Sequence, residues 1–159
     1  MHRTSSTLKI SNELAVDYDL YINGEADDKY QHHIIVLCHG FSGFRRGVFL
    51  PKLAEDLVDA GFAVISIGFP KNGVNIETGE IVDIDSFSKN TFQDEQDALL
   101  EFSLAILNGS IDSIANDQIA GFSFFGHSRG GMAALSLSSA VELKEKLNSI
   151  VVWLSLIHI

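Results

Sequence analysis

The sequence of 159 residues has one cysteine, two prolines and no long uninterrupted apolar run. A single cysteine excludes an internal disulfide framework and favours a reducing compartment. No stretch reaches the roughly eighteen apolar residues that a membrane-spanning helix needs. The N-terminus also lacks the apolar core and small-residue cleavage site of a signal peptide. We therefore expect a cytoplasmic protein that has no membrane partner.

Positive charge is also scarce. The sequence has 11 Lys and Arg against 21 Asp and Glu, a formal net charge of −10. This imbalance repels nucleic acids and anionic membrane surfaces, and so it argues against both as partners. The net charge says little about a small neutral substrate. The length is sufficient for one domain with a real hydrophobic core.

Strand and helix patterns alternate along the chain. Polar and apolar residues alternate with a period of two in the opening segment, which predicts half-buried antiparallel strands. Unbroken apolar runs predict four further strands, each covered on both faces as in a parallel sheet, over 33–40, 62–69, 119–126 and 149–154. Apolar residues at helical spacing predict three helices, over 48–61, 91–109 and 128–143.

Repeated strand-then-helix units predict an α/β fold, a three-layer sandwich with a mostly parallel sheet and helices on both faces. Ligands bind such sheets outside the carboxyl ends of the strands. The long polar segment over 71–90 is a candidate site-forming loop, because it is too long for a simple connection.

The sequence GHSRG at 126–130 fits the pattern Gly-x-Ser-x-Gly between a predicted strand and a predicted helix. A sharp strand-to-helix turn lifts the serine oxygen clear of the sheet and places it at a helix N-terminus. The free N–H groups there favour developing negative charge. The pattern predicts Ser128 as a nucleophile. The alternative is a helix-capping serine in a nucleotide-binding loop, but neither Gly-x-Gly-x-x-Gly nor a Walker lysine is present.

Two motifs, VLCHGFSG at 36–43 and FFGHSRGG at 124–131, together resemble the α/β-hydrolase superfamily, especially carboxylesterases and prolyl-oligopeptidase-like serine hydrolases. The resemblance implies that Ser128 attacks an acyl carbon. It also implies that the backbone N–H groups of Phe41 and Arg129 form the oxyanion hole. The implied substrate is a small-molecule acyl ester, cleaved through an acyl-enzyme without a metal or cofactor. A peptidase of the prolyl-oligopeptidase-like group and a non-catalytic hydrolase-like binding protein remain the alternatives.

Several side chains near these motifs have simpler interpretations than catalysis. We expect His39 to hold its loop by hydrogen bonds and His127 to pack against its neighbours. Cys38 lies inside an apolar run, which predicts a buried core residue. Arg45 and Arg46 are either solvated or bind a substrate carboxylate.

The groups that would activate the serine are expected downstream, an acid and then a histidine. The acids after the serine are Glu142 and Glu145, and the histidine is His158. None of them comes from a loop at the end of a late strand. We therefore expect 1–153 to be the N-terminal part of a single α/β-hydrolase domain, inactive in this form. The tail at 154–159, LSLIHI, resembles the translation of a transposase sequencing adapter and is expected to be non-native. The alternative is a continuation of the last strand.

Overall fold

The strands of the computed structural model form one mixed sheet. The structure describes residues 1–11, 14–24, 32–47, 49–111 and 114–153. Within them, the strands are β1 (His2–Lys9), β2 (Ala15–Ile22), β3 (His32–Cys38), β4 (Ala63–Gly68), β5 (Ile119–His127) and β6 (Leu147–Trp153). Their order across the sheet is β1-β2-β4-β3-β5-β6. The first two pair antiparallel, and the other four run parallel, which confirms the predicted mostly parallel sheet.

Helices cover both faces of this sheet, as predicted. They are α1 (Leu50–Asp59), α2 (Ile84–Ser88), α3 (Phe92–Leu107) and α4 (Arg129–Ser136). Successive side chains of a strand point to opposite faces. Leu37 of β3 accordingly packs in the cluster beneath α1, while Val36 and Cys38 pack in the larger cluster beneath α3 and α4. Among the residues described, no helix has the length and apolar character needed to cross a membrane.

The start of α3 is fixed by a capping box. The Thr91 hydroxyl accepts a hydrogen bond from the Asp94 N–H at 3.1 Å, and the Asp94 carboxylate accepts one from the Thr91 N–H at 2.9 Å. Lys71 adds a hydrogen bond to the same carboxylate, and together with Thr91 it lowers the pKa of Asp94 to about 2. These contacts join the start of α3 to the first residue of the long polar segment.

The fourth helix is shorter than predicted. It ends at Ser136 and is followed by two 3₁₀ turns, Leu137–Ser139 and Val141–Leu143. The Ser136 hydroxyl donates back to the Ala133 carbonyl at 2.7 Å, and Ala140 adopts extended backbone angles. Serine side chains compete with the backbone N–H groups of a helix for its carbonyl acceptors. This competition explains why the helix ends at Ser136 although the apolar spacing predicted a helix up to residue 143.

A buried ion-pair cluster joins β2 to the loop after β3. Asp19 is fully buried, and its carboxylate accepts hydrogen bonds from Arg46 Nε at 2.6 Å and from Arg45 Nε at 3.2 Å. Both arginine side chains are paired with Asp19 and only 14% and 20% exposed, so the prediction that they are solvated was wrong. Burial raises the pKa of Asp19, but hydrogen bonds led by Arg46 outweigh it and hold that pKa below its usual value of 3.8.

Replacing Asp19 by Asn should destabilise the fold by about 3 kcal/mol, because two buried cations lose their counter-ion. The lowered pKa means that the native pairing contributes fully above the ordinary carboxyl pKa and is lost as the pH falls through the folded-state pKa. The difference between wild type and Asp19→Asn should therefore be largest near neutral pH and shrink in acid. Urea unfolding followed by circular dichroism at several pH values measures it.

Asp17→Asn is the matched control, since Asp17 lies on the same strand but is 55% exposed and 3.7 Å from Arg45. Its effect should stay within about 1 kcal/mol. Equal unfolding midpoints for the two variants would contradict the stabilising role of the Asp19 cluster.

Candidate active site

Ser128 stands between β5 and α4 in a strained backbone conformation. Its φ is +52° and its ψ −123°, a region that costs a residue with a side chain about 1–3 kcal/mol. The Ser128 N–H donates to the Trp153 carbonyl at 2.9 Å, and the Gly131 N–H donates to the Ser128 carbonyl at 3.0 Å. The side chain makes no capping hydrogen bond to α4. A helix-capping role therefore does not account for this serine.

The two glycines of the motif are required by close backbone contacts. A Cβ at Gly126 would lie 2.3 Å from the Gly131 Cα. A Cβ at Gly130 would lie 2.3 Å from the His39 carbonyl oxygen and 2.6 Å from the Cys38 carbonyl oxygen. The first turn of α4 thus packs directly on the backbone at the end of β3.

A tight turn after β3 lies against the serine. A Cβ built at Gly40 would lie 3.0 Å from the Ser128 Cβ. The turn closes through the Gly43 N–H, which donates to the Gly40 carbonyl at 3.0 Å, and Ser42 has a φ of +53°. Phe41 occupies the corner of the turn. In the described part of the chain, no acceptor takes a hydrogen bond from the backbone N–H of Phe41 or of Arg129.

His39 holds this turn in place, as expected. Its Nε2 accepts from the Phe69 N–H at 3.1 Å, so the proton is on Nδ1, which donates to the Gly40 carbonyl at 2.8 Å. Burial lowers the pKa of His39 to about 4. A neutral ring with both nitrogens engaged cannot accept the serine proton.

The predictions for His127 and Cys38 are confirmed. The His127 ring packs edge-on against Phe49 at 5.3 Å and against Trp153 at 6.0 Å between ring centroids. Cys38 is fully buried, and this burial raises the pKa of its thiol. Cys38 thus lies in the core beneath the site, while His127 packs at the edge of the cavity that Ser128 borders.

The side chain of Arg129 forms a network that the sequence did not reveal. Its Nε lies 2.9 Å from the Glu95 carboxylate, and its Nη2 donates to the Asn90 side-chain oxygen at 2.8 Å. Its guanidinium carbon lies 5.2 Å from the Phe41 ring centroid and 5.8 Å from that of Phe92. Burial raises the pKa of Glu95, and the contacts with Arg129 and Asn90 oppose that rise. In the sequence, Glu95 is one of two acids in the first turn of a predicted helix, a common position for acids, and nothing there indicates its pairing with Arg129.

Ser128 borders a cavity of about 270 Å³. Its apolar walls include the side chains of Phe41, Phe44, Phe49 and Leu50. The predicted site-forming segment 71–90 does reach this region, since Phe87 packs against Phe41 at 5.1 Å. A larger cavity of about 470 Å³ lies beyond the end of β4 and is not bordered by the serine.

The downstream acids lie far from the serine. Glu142 and Glu145 are exposed and follow the far end of α4, which at eight residues is about 12 Å long. His158 lies outside the described residues. In the part of the chain that the structure describes, no group of three or more acidic, histidine or cysteine side chains is placed to hold a metal ion.

Solved structures that superpose on this chain are α/β-hydrolases. Dienelactone hydrolase from Anabaena variabilis superposes with a TM-score of 0.69 at 21% identity, covering 95% of this chain and 62% of that chain. A cold-adapted esterase from an Arctic intertidal metagenomic library gives 0.66 at 14% identity, covering 94% of this chain and 59% of the esterase. An α/β serine hydrolase without a lid from Xanthomonas campestris gives 0.63 at 19% identity, covering 92% and 60% respectively. The chain has the α/β-hydrolase fold.

At these low sequence identities, the structural similarity shows that the fold is shared. The sequence itself matches no protein-family model and no curated protein. The chain spans between 59% and 62% of the length of these three α/β-hydrolases. The sequence-based prediction of the fold is thereby confirmed.

Gly130→Ala should destabilise the protein at the upper end of the about 1–3 kcal/mol typical of overpacking, because the new Cβ meets two backbone oxygens that cannot move independently. Gly68→Ala is the matched control. Gly68 ends β4 at the same edge of the sheet, and its added Cβ meets nothing closer than 3.5 Å. Thermal unfolding of the two variants compares them. A Gly130→Ala protein as stable as Gly68→Ala would show that α4 does not pack as closely as described.

Proposed function

We propose that this chain carries the nucleophile of a serine hydrolase that cleaves esters. The observation that carries the proposal is the strained backbone of Ser128 at the N-terminus of α4. The Ser128 side chain makes no capping hydrogen bond to that helix, and the residue borders a cavity. Strain of this kind persists only where the surroundings impose it, and it clusters at functional sites. The segment 1–153 is then the N-terminal part of one hydrolase domain, and 154–159 are not native sequence.

The proposed reaction has two steps. Ser128 Oγ attacks the acyl carbon while a base takes its proton, and the alcohol leaves with that proton to give the acyl-enzyme. Water then attacks the ester of Ser128 and releases the acid. The N–H groups of Phe41 and Arg129, both free of acceptors in the described residues, are the proposed donors to the oxyanion. The base and its orienting acid would come from residues beyond 153.

The charges around the cavity favour a neutral substrate. Arg45 and Arg46 are paired with the buried Asp19, and Arg129 is paired with the buried Glu95. The cavity walls near the serine are aromatic and aliphatic. We infer a small-molecule ester with an apolar, uncharged acyl group. The single, buried Cys38 fits a cytoplasmic location.

The test starts with resequencing the gene beyond the codon for Trp153. We expect the reading frame to continue and to supply an acid and then a histidine. The protein encoded by that complete frame should hydrolyse p-nitrophenyl butyrate, and Ser128→Ala should lower kcat by at least about 10³-fold. A fluorophosphonate probe should form its adduct on Ser128, as peptide mass spectrometry would show.

Ser136→Ala is the matched control, since Ser136 lies on α4 but bonds only within that helix. Its kcat should equal that of the wild type. Faster cleavage of a prolyl peptide anilide than of the ester would favour the peptidase alternative. A gene that ends at residue 159, with no adduct on Ser128, would favour a non-catalytic binding protein.

A further inference from the structure

We propose that the Arg129 side chain is a positioning residue that holds the two oxyanion donors in a fixed relation to each other. The inference rests on the proposed role of Ser128. Arg129 offers one donor through its own backbone N–H, and its guanidinium lies over the ring of Phe41, which offers the other. One residue thereby links the start of α4 to the turn after β3.

The guanidinium is itself held by an ion pair with Glu95, whose Oε2 and the Arg129 Nε do not meet in hydrogen-bond geometry, and by a hydrogen bond to Asn90. Glu95 and Asn90 engage two of its nitrogens at 2.9 and 2.8 Å, and the Arg129 side chain is only 16% exposed. Glu95 is 4% exposed and lies in the first turn of α3, a helix whose start is fixed by its capping box. Planar guanidinium groups suit such combined pairing and stacking, which lysine does not reproduce.

The ring of Phe41, in contrast, has few neighbours. It is 56% exposed although it is a large apolar side chain. Within the described residues, the centroid of its ring lies 5.2 Å from the guanidinium carbon of Arg129 and 5.1 Å from the ring centroid of Phe87. The turn that carries it is closed by the hydrogen bond from the Gly43 N–H to the Gly40 carbonyl. His39 and the Asn72 side chain, which donates to the Gly43 carbonyl, also hold this turn. The contact between the Phe41 ring and Arg129 then restricts the freedom that remains in the direction of the Phe41 N–H.

Two other roles for Arg129 make different predictions. A substrate-binding arginine would affect KM for an anionic ester, yet its pairing with Glu95 already neutralises this charge. An arginine that only neutralises Glu95 would act on stability, and kcat would recover once the carboxylate is also removed. Positioning of the donors instead affects kcat, because the oxyanion exists only in the transition state and the tetrahedral intermediate.

The decisive variant is Glu95→Gln/Arg129→Met, which removes the guanidinium without leaving a buried carboxylate unpaired. The backbone N–H of residue 129 stays in place. Measured on the complete enzyme with p-nitrophenyl butyrate, kcat should fall by about tenfold or more, less than the about 10²–10³-fold typical of deleting a donor. KM should stay within about twofold. Glu95→Gln alone should retain more of the activity, since the guanidinium keeps its contacts with Asn90 and Phe41.

A double-mutant cycle tests the link to the turn. Phe41→Ala should lower kcat in wild type, but add little in the Glu95→Gln/Arg129→Met background, because the two side chains act through one contact. Lys52→Met is the control for loss of a cation, since Lys52 is exposed on α1 and pairs only with Asp56. Its kcat should be that of the wild type.

Hydrogen exchange on the 159-residue chain gives a readout that needs no turnover. The Gly43 N–H, which closes the turn, should exchange at least several-fold faster in Glu95→Gln/Arg129→Met than in Lys52→Met. Unchanged exchange would overturn the inference. So would Ser128-dependent turnover with unchanged kcat in Glu95→Gln/Arg129→Met, or an effect confined to KM for an anionic ester. Turnover that persists in Ser128→Ala would refute the proposed function itself.

Discussion

The first turn of α4 lies so close to the carboxyl ends of β3 and β5 that no side-chain atom fits between them. Gly126 and Gly130 stand where an added Cβ would fall within 2.3 Å of another backbone atom. This contact sets the angle at which the chain leaves β5. The sharp turn from β5 into α4 requires the unfavourable positive φ of Ser128. The cavity, the turn at Gly40 and the course of α4 all depend on that one approach.

Buried ion pairs hold the loop after β3 and the start of α4, on either side of this contact. Asp19 holds the far end of the loop that begins at Gly40, through Arg45 and Arg46. Glu95 holds Arg129, next to the serine. In both cases the arginine side chain is largely buried against a buried carboxylate. Removing one partner from such a pair leaves an uncompensated charge, so the loop and the helix start both depend on contacts between residues far apart in the sequence.

The sequence predicted the features that depend on residues close together in the chain. The unbroken apolar runs of β3 and β4 follow from burial on both faces, and the start of α3 follows from the capping box at Thr91. The spacing of Gly126 and Gly130 likewise predicted where a sharp turn must lie. The burial of Asp19 could not be predicted in this way. The alternation in β2 placed it on an open face, and its burial depends on Arg45 and Arg46, which lie 26 and 27 residues further along the chain.

The pairing of Arg129 with Glu95 was hidden for the same reason. Helix periodicity places Glu95 in the first turn of α3, where acids are common because of the helix dipole. Its partner lies 34 positions further on, and nothing in the sequence between them specifies the crossing of α3 and α4. Contacts set by the packing of two helices appear only when both helices are in place.

The hydrogen bond from the Ser128 N–H to the Trp153 carbonyl links the serine to a strand that is synthesised later. A nascent chain that has emerged only as far as α4 already has its central strands, yet lacks the acceptor that holds the serine backbone. The strained geometry is thus completed by β6, 25 residues after the serine is made. The Ser128 backbone therefore gains this hydrogen bond only after the last described strand has been made.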